Sequence, residues 1–193
     1  FQMDDLANAF SGHDKQMMMQ GVEALKQWTE RSHVSVIYDS QVLPFTDESL
    51  FSSVAGKPNI AVVAFTTDGD VCGGYYSVPV WKHDKLYFDG SLFLFSFESH
   101  GRCDTPQRFV VKREKVNKAN VKFFKNQPDG WFVSFDGGYG WLQLGNEESN
   151  TKCYNLSHPF EGIEDTTLTG KTWQSFETPN FHHCSRLVAF HLE

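Results

Sequence analysis

The chain has 193 residues, a formal net charge of −7, and an aromatic content of 15% with 18 Phe. That length fits one domain of ordinary size, and so many rings favour a β-rich core over a helical bundle because they suit a pleated surface. No apolar run approaches the roughly 18 to 20 residues that a membrane-spanning helix needs, which argues against membrane insertion.

Residues 1–2 read as the remnant of a protease-site tag before Met3, and Leu192 with Glu193 as a vector scar. The first residues show no basic segment followed by an apolar core, so no secretory signal is expected. An N-terminal helical segment over residues 3–32 then precedes a single globular unit over residues 33–193. Ser11 and Asp14 have the spacing of a capping box. From residue 15 to 31, Met18, Val22, Leu25 and Trp28 fall on one stripe opposite Gln20, Glu23, Gln27 and Glu30, the pattern of an amphipathic helix. Gly21 weakens that helix by about 1 kcal/mol relative to Ala, a cost that fits a place of close approach.

Residues 34–39 read as a strand. A short helix is expected near residues 47–55, capped by Asp47, carrying Leu50, Phe51 and Val54, and stopped by Gly56 and Pro58. The next three strands organise the chain. Residues 60–66 are apolar on both faces, and a half-exposed strand alternates, so this one belongs to a sheet covered on both sides. Asp68-Gly69 joins it to residues 71–76 and is a strong hairpin signal, with Gly supplying the positive φ of a type I′ turn. Residues 92–97 follow a turn at Asp89-Gly90 and are equally apolar. Inside the middle strand, Gly73-Gly74 marks a bulge or a close backbone approach.

Residues 101–106 form a loop, and residues 109–111 and 121–124 short strands. Two further strands, 131–135 and 141–144, are linked by the glycine-rich 136–140. The polar stretches 147–150 and 158–169 read as surface loops, and residues 185–190 as the closing strand. Short strands at turn-signalled intervals, with helices mostly at the front, predict a β-rich α+β fold: a β-sandwich with peripheral helices.

Four cysteines, Cys72, Cys103, Cys153 and Cys184, are widely spaced with no Cys-x-x-Cys pair, which points to reduced thiols in the cytoplasm or nucleus. His182 and Cys184 are the most metal-like pair, since alternate strand residues share a face, but no further ligands stand at ligand spacing. The simpler interpretation is polar residues at a strand entry, and no cofactor or metal is expected. Cys72 is a nucleophile candidate with His83 and Asp84 available to it. A Cys in an apolar strand, however, is ordinarily a small buried hydrophobe with an unactivated thiol. Residues 136–140 lack the following helix that would hold phosphate and read as a hairpin turn.

Charge is unevenly distributed. Lys112, Arg113, Lys115, Lys118, Lys122 and Lys125 stand against Glu114 alone, a local +5 that leaves −12 on the remainder. Phe123 and Phe124 interleave with Lys122 and Lys125, as a nucleic-acid platform would require, but the acidic remainder repels a polyanion from every other side. Guarding a sheet edge against pairing, or docking a protein, is the favoured role for this basic ribbon.

Taken in order, Ile37-Tyr38-Asp39-Ser40, then Gly56-Lys57-Pro58-Asn59 before an apolar strand, then Val71-Cys72-Gly73-Gly74-Tyr75, Ser91 to Phe97, and Arg186-Leu187-Val188 resemble the TLDc domain family. The likeness is greatest to the divergent forms of amoeboid protists, in which a helix with a Trp similar to Trp28 precedes the first strand. The chain differs from the family pattern at Cys72, where Phe is usual. The resemblance implies a two-sheet antiparallel β-sandwich flanked by a few helices, a link to oxidative-stress resistance and, in several members, binding to the vacuolar proton pump. It brings no agreed catalytic residues. The function expected is therefore a non-catalytic protein-interaction domain, with the basic ribbon as its surface and a protein as its partner. The alternatives are a redox or hydrolytic enzyme using Cys72 or His182 with Cys184, and nucleic-acid binding through the ribbon.

Overall fold

A computed structural model describes residues 9–146, 151–173 and 183–193. Helix α1 (Gly12–Thr29) follows Ser11, whose backbone is extended. The capping box does not form: Ser11 makes no side-chain capping bond, and its carbonyl accepts from the Lys15 amide instead. Met18, Val22 and Leu25 are buried as their stripe predicts, and Met17, Gly21 and Ala24 widen it. A Cβ on Gly21 would lie 2.5 Å from the Phe97 ring, so the missing side chain is what lets the helix settle on the sheet. The helix ends where Glu30 turns left-handed and the Arg31 amide reaches back to the Lys26 carbonyl.

The remaining elements are β1 (Val34–Asp39), α2 (Asp47–Val54), β2 (Ile60–Thr66), β3 (Val71–Tyr76), β4 (Tyr87–Phe88), β5 (Phe93–Glu98), β6 (Gln107–Val110), β7 (Asn120–Phe123), β8 (Trp131–Asp136), β9 (Trp141–Gly145), β10 (Lys152–Tyr154) and β11 (Cys184–Leu192). They form two antiparallel sheets, a six-stranded one in the order β1-β11-β2-β3-β5-β6 and a five-stranded one in the order β10-β9-β8-β7-β4. The β-rich α+β sandwich expected from the sequence is the fold observed.

Two apolar cores explain the composition of β2. Val62 and Ala64 face the space between the sheets, with Leu94, Phe135, Leu142 and Leu187. Ala61, Val63 and Phe65 face the other way, beneath α1, with Phe95, Phe97, Val188 and Phe190. A strand buried on both sides has no solvent face on which to place polar residues. Gly73 and Gly74 serve the two sides separately. A Cβ on Gly74 would fall 2.4 Å from the Phe135 ring of the opposite sheet, and one on Gly73 would strike the Val62 carbonyl and the Phe95 ring. The glycines therefore mark a close approach and not a bulge: both pair in regular register, and the register shift against β5 lies earlier, between Val71 and Cys72.

Several local expectations are corrected. Between β2 and β3 only Gly69 has positive φ, its amide donates to the Thr66 carbonyl, and the Thr66 amide donates to the Asp70 carbonyl. That is a type I turn closed by a left-handed glycine, because type I′ needs two positive φ values. The cap of α2 is Thr46, whose hydroxyl accepts from the Ser49 amide, rather than Asp47. Residues 158–169 are a turn-rich loop that is only partly at the surface: His158, Glu161, Gly162, Glu164 and Thr166 are exposed, whereas Phe160, Ile163 and Leu168 are buried against the inter-sheet core and close the sandwich there. Leu192 and Glu193 belong to the fold. Leu192 is buried opposite Val34, and the Glu193 carbonyl accepts from the Ser32 and His33 amides. Residues 147–150 lie outside the described residues.

Candidate functional site

The segment between β3 and β5 carries three large apolar side chains in solvent: Trp81 at 66%, Leu86 at 47% and Phe88 at 61% exposure. Its position follows from a ladder of backbone contacts with the second half of the basic ribbon. The Asp84 amide donates to the Phe123 carbonyl, Tyr87 and Phe88 pair with Val121 and Asn120, and the Asp89 amide donates to the Ala119 carbonyl. Val116 closes the row beside Gly90. Residues 84–90 thus run antiparallel to residues 116–125 along the margin of the five-stranded sheet. Side chains alternate across a strand, so Tyr87 and Val121 turn inward to the core while Leu86, Phe88 and Lys122 turn outward. The Trp81 indole packs against Gly56, where a Cβ would come within 2.6 Å of it.

The ribbon itself is a connector between the sheets. It leaves β6, makes a short 3-10 turn at Arg113–Lys115, and enters β7. The edge-guarding role fails for Lys122, because β7 lies between β4 and β8 and has no free side there. Its cations are not equivalent. The Lys112 ammonium donates to the Ser157 carbonyl at 2.7 Å and so belongs to the fold. Lys118 lies 5.7 Å from the Tyr139 ring centre and Lys122 5.1 Å from that of Phe124, while Arg113, Lys118 and Lys125 are exposed and Lys115 is half-buried. Phe123 is buried, which removes one of the two rings on which nucleic-acid stacking depended.

The thiols have the opposite character. Cys72, Cys153 and Cys184 are buried between the sheets, and burial pushes the Cys72 thiol well up and those of Cys153 and Cys184 to about 12. Thiolate is the reactive form, so all three are held inert. His83 does not approach Cys72. It packs against Phe51 with ring centres 3.7 Å apart and planes tilted by 35°, and burial lowers its affinity for a proton against the neighbouring Asp47 and Asp84. The Cys184 thiol donates to the Arg186 carbonyl, and His182 lies outside the described residues. Brief treatment of the native protein with iodoacetamide at mildly alkaline pH is expected to modify Cys103 alone, and all four cysteines after unfolding. Peptide mass spectrometry reads the outcome, and rapid native labelling of Cys72 would restore the redox alternative.

One polar cluster escaped notice in the sequence. Asp70, buried at the end of the β2–β3 turn, has its Oδ1 2.7 Å from Nδ1 of His100 and accepts from Nη2 of Arg102. Arg102 also donates to the Thr167 and Leu168 carbonyls. Three loops are thereby tied together. A carboxylate on Nδ1 is half of a catalytic triad, but among the described residues no hydroxyl or thiol bonds the other ring nitrogen of His100. Beside the cluster opens a cleft of about 520 Å³ lined by Arg102, Lys112, Glu161, Glu164 and Thr167 among others, where charges of both signs select for neither anion nor cation. The only sequence signal for this lock was Asp70 following Asp68-Gly69. Its partners lie in a loop that no local pattern connects to it.

Among the described residues no group of three or more His, Cys, Asp or Glu side chains is arranged to hold a metal ion. No helix among them is long and apolar enough to cross a membrane. Compared with known protein families the chain matches no family model, and compared with curated proteins it matches none.

Proposed function

We propose that this chain is a non-catalytic protein-binding domain of TLDc type, working through the basic connector and the apolar margin beside it. The observation that carries the reading is their juxtaposition: Leu86 and Phe88 stand in solvent at the short strand that pairs with Asn120 and Val121, within a row that runs from Val116 to Lys125. Exposed rings bounded by polar side chains are the usual composition of a binding hot spot. A local +5 on a chain of −7 also orients the approach of an acidic partner.

The family assignment draws support from the placement of the motifs. Residues 37–40, 56–59, 71–75, 91–97 and 186–188 fall on or beside β1, β2, β3, β5 and β11, neighbours in the six-stranded sheet. Links to oxidative-stress resistance and to a proton pump come with the resemblance and form part of the proposal. The enzymatic alternative loses its nucleophile to the burial of Cys72.

The test is capture of partners from cell extract by the wild-type chain and by a variant carrying Lys115→Glu, Lys118→Glu, Lys122→Glu and Lys125→Glu, each identified by mass spectrometry. Loss of the specific partners from the variant is expected. Identical partner sets from both proteins would place the binding surface elsewhere.

A further inference from the structure

The same margin has a chemistry that points past proteins. Its cations are Lys82, Lys85, Lys115, Lys118, Lys122 and Lys125, with Arg113 the one guanidinium. Protein interfaces are depleted in Lys and enriched in Arg, because a planar fork loses less freedom per hydrogen bond than a flexible, strongly hydrated ammonium. A diffuse anionic surface has the reverse preference: it needs mobile point charges that reach past an apolar contact to the headgroups. The apolar side chains fit that pattern too. Trp81, Leu86 and Phe88 all project from one short segment, and Trp is enriched where one end of a ring is dry and the other wet. The acids beside it, Asp84 and Asp47, accept from the Lys125 and Asn126 amides and keep their charge, but the six lysines and Arg113 outnumber them.

We propose that residues 81–88, with Lys118, Lys122 and Lys125 beside them, form a docking surface for an anionic lipid bilayer, on which Trp81, Leu86 and Phe88 lie at the headgroup level. The contact is peripheral: three side chains enter the interface, the lysines stay at the surface, and no chain segment crosses. The acidic remainder of the molecule fixes the orientation by repelling the bilayer from every other face. This inference rests on the proposal above only in taking this margin as the working surface.

Co-sedimentation with phosphatidylcholine vesicles, with and without phosphatidylserine, tests it. Binding is expected only when phosphatidylserine is present, and it falls as salt is raised. Each lysine near such a surface contributes about a fivefold factor, so Lys118→Glu with Lys122→Glu is expected to weaken binding by about 25-fold or more. Leu86→Ser with Phe88→Ser is expected to weaken it while leaving the thermal midpoint in place, because both side chains are exposed. The inference is overturned by equal binding to both vesicle types, by binding to neither, or by indifference to the Leu86 and Phe88 changes. Should the vesicles be ignored while the lysine-reversed variant loses its captured proteins, the membrane inference falls and the protein-binding proposal stands. Vesicle binding that follows the expected pattern beside unchanged protein capture gives the converse.

Discussion

Asp39→Ala is expected to lower the unfolding free energy by about 3–5 kcal/mol, because it strands a buried guanidinium without its carboxylate. Asp39 and Arg186 are 7% and 9% exposed, and Arg186 meets both carboxylate oxygens, Nε donating to Oδ1 at 3.0 Å and Nη2 to Oδ2. The two-point geometry is the strong form of this pair. Nη2 donates as well to the Ala9 carbonyl, and the guanidinium lies 4.2 Å from the centre of the Phe10 ring. One side chain on β11 thus joins β1 to the approach of α1. With Ala at position 39, the charge keeps, among the described residues, the Ala9 carbonyl and the face of the Phe10 ring, neither of which replaces a carboxylate. A denaturant titration measures the loss. Replacing both partners together, Asp39→Leu with Arg186→Met, is expected to be less damaging than Asp39→Ala, since no unpaired charge then remains. A loss below about 1 kcal/mol for Asp39→Ala, or a strong dependence on salt, would mark the pair as solvated and screened.

The contrast between what was legible and what was not follows from sequence distance. β2, β3 and β5 could be placed from their letters because a strand covered on both sides must be apolar on both faces, and α1 and the second sheet supply the two covers. Gly73 and Gly74 could be recognised as backbone-constrained, but nothing local names Phe135 as the ring that occupies the space above Gly74. The 158–169 stretch misled because its apolar residues follow neither the period of a strand nor that of a helix, yet Phe160, Ile163 and Leu168 are buried. Leu192 misled for a simpler reason: a single apolar residue at the chain end has no pattern, and only its pairing with Val34 reveals its place. The candidate site shows the same division. The ribbon's charge was plain, whereas its neighbour, residues 84–90, joins it only through pairing. The motifs that carry the TLDc resemblance lie in the six-stranded sheet, and the proposed surface lies on the other one. The resemblance therefore bears on the scaffold more than on the surface.

Phe95→Ala is expected to cost about 3–5 kcal/mol, the range for truncating a fully buried ring whose surroundings relax incompletely. Phe95 sits on β5 beneath α1, its ring centre 4.8 Å from that of Phe97 and 6.4 Å from that of Trp28. Collapse into the space it leaves is resisted from both sides. Below it is Gly73, which has no side chain to move and whose backbone is fixed by pairing with Val63 and its own close approach to the Val62 carbonyl. Above it, α1 cannot sink further because Gly21 is already in contact with Phe97. The cavity therefore persists, and its cost adds to the lost transfer energy. Phe95→Leu keeps most of the volume and is expected to cost less than half as much. Chemical denaturation followed by far-ultraviolet circular dichroism distinguishes two outcomes. A single transition at lower denaturant shows that helix and sheet share one cooperative core. Early loss of helical signal with the sheet intact would show that α1 is an appendage, and a Phe95→Ala loss well under 1 kcal/mol would remove this ring from the core.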